Sequence, residues 1–283
     1  MKRISALLLV SVLIIGLVAC TGQPEADVSS PVAAEQTGFD SPEDAVIAYL
    51  EGLRDSDFGR MLNTFAIGVY VEHFDLESFL ERLRVYLAHQ ALFPNTNEFI
   101  TAMNIEMRRG EVAGAIRMQY FALTTQGERV GNLSDLAEEI ADQFDLFRPW
   151  LIEAGEAGNF VQAFSELLNA PELHTLEILG FIPPETVELH THEQNQEIIV
   201  RMAEFMGADQ LVSRIAVFEL DGIKYMLFVD IASYGGRWFL THFGGNVSNL
   251  IGIPPLLHGL VSESSWYADA FFDELLRSMI TEW

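Results

Sequence analysis

The sequence predicts an α+β fold: a curved antiparallel sheet in the C-terminal half packed on N-terminal helices, with a large helical insertion between them. Three observations predict it. Apolar residues recur at helical spacing from Ala45 onward, and after residue 175 the period shortens to alternation. The runs LVSRIAVFEL, IKYMLFVDIA and RWFLTHF are joined at Asp221-Gly222 and Gly235-Gly236, the short turns that link neighbouring antiparallel strands. With 49% hydrophobic and 11% aromatic residues over 283 positions, the chain can bury a sizeable core.

The body is expected to begin at Ser41, where SPEDAVIAYL offers a capping serine, a proline at the first helical position and acidic residues in the first turn. Ala45, Val46, Tyr49, Leu50 and Leu53 then share one face. A second helix follows Asp57, with Met61, Leu62 and Phe65 inward. The insertion, residues 75–170, starts with DLESFLERLRVYLAHQALF, whose Leu76, Phe79, Leu80, Leu83, Leu87 and Leu92 lie near one stripe. A further helix runs from Asn97 with a break expected at Gly110, and its β-branched and aromatic end after Ile116 also fits a strand. Ser134 reads as the cap of another helix, and PWLIEAGEAGNFVQAFSELLNA as one or two more.

TLEILGF and TVELHTH read as strands around Pro183 and Pro184, followed by a helix from about Gln196 to Met206. After the three-strand meander come a loop with Pro254 and Pro255 and a docking helix using Trp266, Ala270, Phe271 and Leu275, within residues 251–283. No internal repeat is evident.

The charge balance, 41 Asp and Glu against 16 Lys and Arg, gives a net charge of −25. Such a surface repels phosphate backbones and anionic headgroups, which excludes nucleic acid as a partner and leaves membrane attachment to something other than basic residues.

Residues 1–19 supply that alternative. Lys2 and Arg3 precede an apolar stretch from Ile4 to Val18, too short for a span of about 20 residues but suited to a signal peptide. Leu17-Val18-Ala19-Cys20 resembles the lipobox of bacterial lipoproteins. The resemblance implies that the Cys20 thiol receives a diacylglycerol thioether and becomes the new N-terminus. Cys20 is the chain's single cysteine, so no internal disulfide is expected. Residues 20–40, rich in Pro, Ser and Gly, read as a flexible tether. The expected location is the cell membrane, lipid-anchored and facing outside the cytoplasm.

SPEDAVIAYLEGLRDSDFGRMLNTFA and DGIKYMLFVDIASYGGRWFLTHFGG resemble the two ends of a nuclear-transport-factor-2-like domain, here covering residues 41–250 with the helical insertion. In that family a curved antiparallel sheet wraps around helices to form a cone-shaped pocket, and the fold carries enzymes and non-catalytic proteins alike.

The turn at Asp221-Gly222 pairs residue 220 with 223 and 214 with 229. Val212, Ala216, Phe218, Leu220, Tyr225, Leu227, Val229 and Ile231 then form a core face. The opposite face is mixed: Ser213 opposes Asp230, Ile215 opposes Phe228, and Glu219 opposes Lys224. That face is a candidate pocket wall through Asp230, His242 and Phe228. Asp230 is the one ionisable residue in its strand's apolar run and a candidate acid or base. His242 shares its face with a three-residue loop at Tyr234-Gly235-Gly236, and takes the other face with a two-residue loop.

Glu188, His190 and His192 stand at period 2 and on a strand would share one face as potential metal ligands, although a lone His-x-His is a weak signal and no metal is assigned. GxSxG, GxxxxGK[ST], HExxH and GxGxxG are all absent. No catalytic residue and no cofactor is therefore assigned. The expected function is non-catalytic, with a small ligand or an envelope protein as partner; the alternatives are a pocket enzyme using Asp230 and an accessory subunit of an envelope complex.

Overall fold

The structure, a computed structural model, describes residues 37–83, 92, 97–140, 173–251, 259–263 and 272–281, with only the helical backbone at Phe121 and residues 124–140. The expected signal peptide, lipobox and most of the tether lie outside the described residues, as do much of the insertion, Pro254, Pro255, Trp266, Ala270 and Phe271.

Helix α1, Pro42–Arg54, begins as its sequence dictates: the Ser41 hydroxyl accepts from the Asp44 amide at 3.0 Å, and Pro42 fills a position with no N–H to satisfy. Its inner face, including Tyr49, Leu50 and Leu53, is fully or almost fully buried. Asp57 caps α2, Phe58–Asn63, accepting from the Arg60 amide at 2.9 Å. Met61 and Phe65 turn inward as expected, and Leu62 is half-buried. Short helices α3, Gly68–His73, and α4, Leu76–Leu83, follow, the second capped by Asp75 through the Ser78 amide and hydroxyl.

Helix α5, Glu98–Ile140, is unbroken for 43 residues, a length of about 64 Å at 1.5 Å per residue. Neither the break at Gly110, nor a strand after Ile116, nor a fresh helix start at Ser134 occurs. The reason lies in packing: Val112, Ile116 and Leu123 are buried in the core, and Gln119 accepts from the buried Tyr49 hydroxyl at 2.8 Å. Those anchors outweigh the roughly 1 kcal/mol that a glycine costs in a helix interior.

The sheet holds β1, Glu177–Ile182, β2, Gln210–Leu220, β3, Ile223–Tyr234, and β4, Arg237–Phe243, in that spatial order and all antiparallel, while β5, Leu260–Ser262, pairs with β3 beyond the end of β4. Asp221 and Gly222 both have positive φ, 52° and 77°, which matches a hairpin turn to the twist of its strands. The β2–β3 register runs without interruption from Leu220 opposite Ile223 to Gln210 opposite Ser233. The outer edge of β4 is covered from within the chain: Phe39 pairs with Trp238, and the Ala66 amide donates to the Leu240 carbonyl at 2.8 Å. Phe39 thus belongs to the folded body, two residues before the expected start at Ser41.

Between β1 and β2 the chain corrects one expectation. TVELHTH is not a strand: a single 3₁₀ turn at Pro184–Thr186 leads into the short helix α6, Glu188–Thr191, and then α7, Glu193–Met206. Thr186 caps back onto the Pro183 carbonyl at 2.7 Å, and Gln196 donates to the His190 carbonyl at 2.6 Å. Local side-chain hydrogen bonds satisfy this backbone without a ladder partner. A 3₁₀ turn at Leu173–Thr175 precedes β1, and helices α8, Gly245–Leu250, and α9, Phe272–Leu276, complete the described elements, with Leu275 buried as expected.

Both sheet faces are buried. Ala216, Phe218, Tyr225, Leu227, Val229 and Ile231 form one core with α1, α2 and α5. Ile215, Val217, Met226 and Phe228 form another with Val187, Val247, Val261 and Phe272. A third gathers Val71, Phe74, Phe205 and Met206 from α3 and α7, and their neighbours, against Ala232 and Phe239.

Candidate functional site

Asp230 lies in the middle of β3 with its side chain wholly inaccessible. A carboxylate there requires polar partners, and the surrounding elements supply two hydrogen-bond donors and a histidine. The Ser213 hydroxyl of β2 donates to Oδ1 at 2.5 Å. The Asn246 amide, in the first turn of α8, donates to Oδ2 at 3.2 Å and more distantly to Oδ1 at 3.4 Å. His242 Nε2 of β4 stands 3.2 Å from Oδ2, an ion pair when the ring is protonated.

His242 reaches Asp230 by an unexpected route. The β3–β4 turn has two residues, with Tyr234 opposite Arg237, a register that would place Thr241 opposite Asp230. A bulge between Ile231 and Asp230 shifts the pairing by one residue and puts His242 opposite Asp230 instead. The displaced Thr241 turns its hydroxyl onto the Asp230 carbonyl at 2.9 Å. The extra residue that aligns the pair lies inside the strand.

Gly245 closes the cluster from the α8 side. Its φ is +56°, and a Cβ there would stand 2.3 Å from Asp230 Oδ1, so only glycine allows α8 to present its first turn to the carboxylate. Nearby, His190 is buried, and neither its Nδ1 nor the Asn246 side-chain nitrogen has a hydrogen-bond partner. Burial pushes the His190 imidazole below its ordinary value, against upward pulls from Glu185 and Asp230.

The chemistry open to Asp230 follows. A general base must come within hydrogen-bond reach of a substrate proton. Asp230 is sealed off, already accepts from Ser213 and Asn246, and has His242 beside it. It acts as a bracket joining β2, β3, β4 and α8. Phe228, two residues earlier on the same face, is 1% exposed and packs in the core beside Ile215. The Glu188, His190 and His192 trio does not converge: α6 turns His190 inward and leaves the other two exposed. Among the described residues no group of three or more His, Cys, Asp or Glu is arranged to hold a metal ion.

Open space lies behind the opposite face of the sheet. A groove of about 710 Å³ runs between the α1–α2 turn and α5. Leu53, Phe58 and Met61 form one wall, and Gly110, Gly114 and Ile116 belong to the other. At both glycines a Cβ would meet no atom within 4 Å, so bare helix backbone faces open space. Phe58 is 47% exposed. Ser56, at the rim, holds a left-handed φ of 54°. Arg117, also lining the groove, is exposed and forms no ion pair among the described residues. Earlier on α5, Phe99, Met103 and Met107 stand at four-residue spacing and are 71%, 46% and 41% exposed.

The sequence reading brought out Asp230, His242 and the Ser213 pairing but missed Thr241, Gly245, Asn246 and the whole groove. The groove's signal is present in MNIEMRRGEVAGAIRMQY, where Met107, Gly110, Gly114 and Met118 fall on one helical face.

No helix among the described residues is long and apolar enough to cross a membrane. No family model matches the chain, and no curated protein matches it. Among solved structures, a cystatin-like protein from Ruminococcus gnavus ATCC 29149 is similar over 70% of this chain, at 15% identity and a TM-score of 0.37. The chain spans 39% of that structure's length.

Proposed function

We propose that the protein is a non-catalytic, lipid-anchored lipoprotein facing outside the cytoplasm, and that it binds a small ligand in the groove between α1–α2 and α5. The observation that carries the binding reading is the groove itself, about 710 Å³, within the roughly 300–1,000 Å³ range of small-molecule sites. Mostly apolar side chains line it, and two glycines leave its helical wall open. The non-catalytic part rests on Asp230, which has the placement of a structural carboxylate. The anchored part rests on Leu17-Val18-Ala19-Cys20 and the preceding apolar stretch. A nuclear-transport-factor-2-like body is part of the same reading, supported by the β2–β3–β4 meander with α1 and α2 against one of its faces.

Two experiments test it. Mass spectrometry of membrane-extracted protein is expected to find a diacylglycerol-modified Cys20 at the N-terminus; an unmodified thiol would refute the anchor. A thermal-shift screen with small apolar compounds is expected to give stabilising hits that Gly114→Leu removes by filling the groove. Hits that survive Gly114→Leu would place binding elsewhere.

A second reading is favoured by the exposed Phe99, Met103 and Met107 row: an accessory subunit that docks α5 against an apolar helix of an envelope protein. Site-specific crosslinking from position 103 in cells distinguishes the two, since a groove-binding protein yields no discrete protein adduct there.

A further inference from the structure

Resting on the groove reading above, we infer that the groove takes a monocarboxylate with an apolar tail, the tail lying along Phe58, Met61 and the bare backbone at Gly110 and Gly114 and the carboxylate meeting Arg117. The argument is one of charge complementarity. Anionic side chains outnumber cationic ones by 25 over the chain, and most described arginines are already engaged. Arg54 and Arg60 share Glu51 and Asp55, Arg108 pairs with Glu111, and Arg109 with Glu106. Among the described residues Arg117 is the only charged one lining the groove, and no carboxylate pairs with it. A guanidinium offers a planar pair of donors that fits a carboxylate in bidentate fashion.

The head group is further restricted. A phosphate monoester brings close to two negative charges, and among the described residues no second cation lines the groove to meet the extra one. The acidic surface beyond opposes such a dianion more strongly than a single charge. A cationic amphiphile would face Arg117 directly. Ser56, held at the rim in a left-handed conformation, adds a hydroxyl to the polar margin. The groove's lining therefore has an apolar stretch and one positive point, which is the complement of a fatty-acid-like molecule.

The test uses the full chain in nanodiscs of zwitterionic lipid, titrated with decanoate, decanol, decyl phosphate and decyltrimethylammonium, with empty nanodiscs correcting for partition. Decanoate is expected to bind at least about tenfold more tightly than the other three, and Arg117→Gln is expected to bring it down to the level of decanol while leaving decanol unchanged. Gly114→Leu, a favourable helix substitution at a position with free space, is expected to abolish binding of decanoate and decanol alike. Equal binding of decanoate and decanol, both insensitive to Arg117→Gln but lost in Gly114→Leu, overturns the carboxylate inference and leaves the groove standing. Binding unaffected by Gly114→Leu, or no binding of any probe, overturns the groove as well. Tighter binding of decyl phosphate overturns the choice of head group.

Discussion

Replacing Asp230 by alanine removes the acceptor that three elements share, and the cost can be worked from its partners. Ser213, 4% exposed, and the Asn246 amide lose their acceptor in surroundings that water does not reach freely, whereas His242, with its side chain 38% exposed, regains water. A buried donor left without a partner costs about 1–3 kcal/mol, so two of them plus the space left by the carboxylate come to about 3–5 kcal/mol. For a body of this size that corresponds to a fall in Tm of about 6–10 °C. Asp230→Asn keeps the shape and one acceptor oxygen but turns its other end into a donor, which Ser213 can accommodate by reversing its hydroxyl; about 1–2 kcal/mol is expected. The assay is urea unfolding followed by tryptophan fluorescence, with Ser213→Ala and the Ser213→Ala/Asp230→Asn double variant completing a cycle. A coupling of at least about 1 kcal/mol between the two positions is expected. Should Asp230→Ala not fold, the Asn variant and the cycle carry the measurement. A loss below about 1 kcal/mol for Asp230→Ala, or additive effects at 213 and 230, would refute the view that this carboxylate brackets the sheet.

Gly245→Ala sets a Cβ against Asp230 Oδ1 and strains a residue at φ +56°, so about 2–4 kcal/mol of destabilisation is expected by the same urea assay; an effect within 0.5 kcal/mol on the scale of ordinary surface changes speaks against the close approach. His190 has a folded-state pKa held below its ordinary value by burial, so its contribution to stability is complete above the unfolded value of about 6.5 and is lost as pH falls through the folded value. Stability measured from pH 7.5 down to 5 is expected to fall less in His190→Asn than in the native chain, and parallel profiles would remove His190 from that account. Gly110→Ala and Gly114→Ala, at helical positions with open space, are each expected to stabilise by about 0.5–1 kcal/mol in thermal unfolding. A loss of stability at either site would mean that the groove wall there is not open.

The parts of the fold legible in the sequence are those fixed by local chemistry. Asp221-Gly222 sets every pair of the β2–β3 hairpin, because a two-residue turn leaves no freedom of register. Ser41 and Asp57 announce α1 and α2 through their own side chains. The parts that stayed hidden depend on contacts distant in sequence. Nothing in RWFLTHF marks Thr241 as a bulge, since what holds it out is the Asp230 carbonyl of the neighbouring strand. The alternation in VELHTH imitates a strand, but after Pro183-Pro184 the segment finds its hydrogen bonds within itself and with Gln196. Gly110 looks like a helix stop until Val112 and Ile116 are seen seated in the core. Of the candidate site, the Asp230 and His242 pair could be named but not aligned. The groove escaped notice because its defining feature is side chains that are absent.

The way the chain joins its body at β4 has a mechanical consequence. Arg237 donates to the Thr37 carbonyl at 2.8 Å and the Gly38 carbonyl at 2.6 Å and pairs with Asp40, while Phe39 exchanges two backbone hydrogen bonds with Trp238 at 3.0 and 2.9 Å. Any pull on the chain upstream of Thr37 is met first by this clamp, where one guanidinium and one pair of backbone bonds carry the load together before α1 can be peeled away. The clamp is a strain relief, comparable to the sleeve where a cable meets its plug, and it shields the wall of the groove from tugging at the N-terminus.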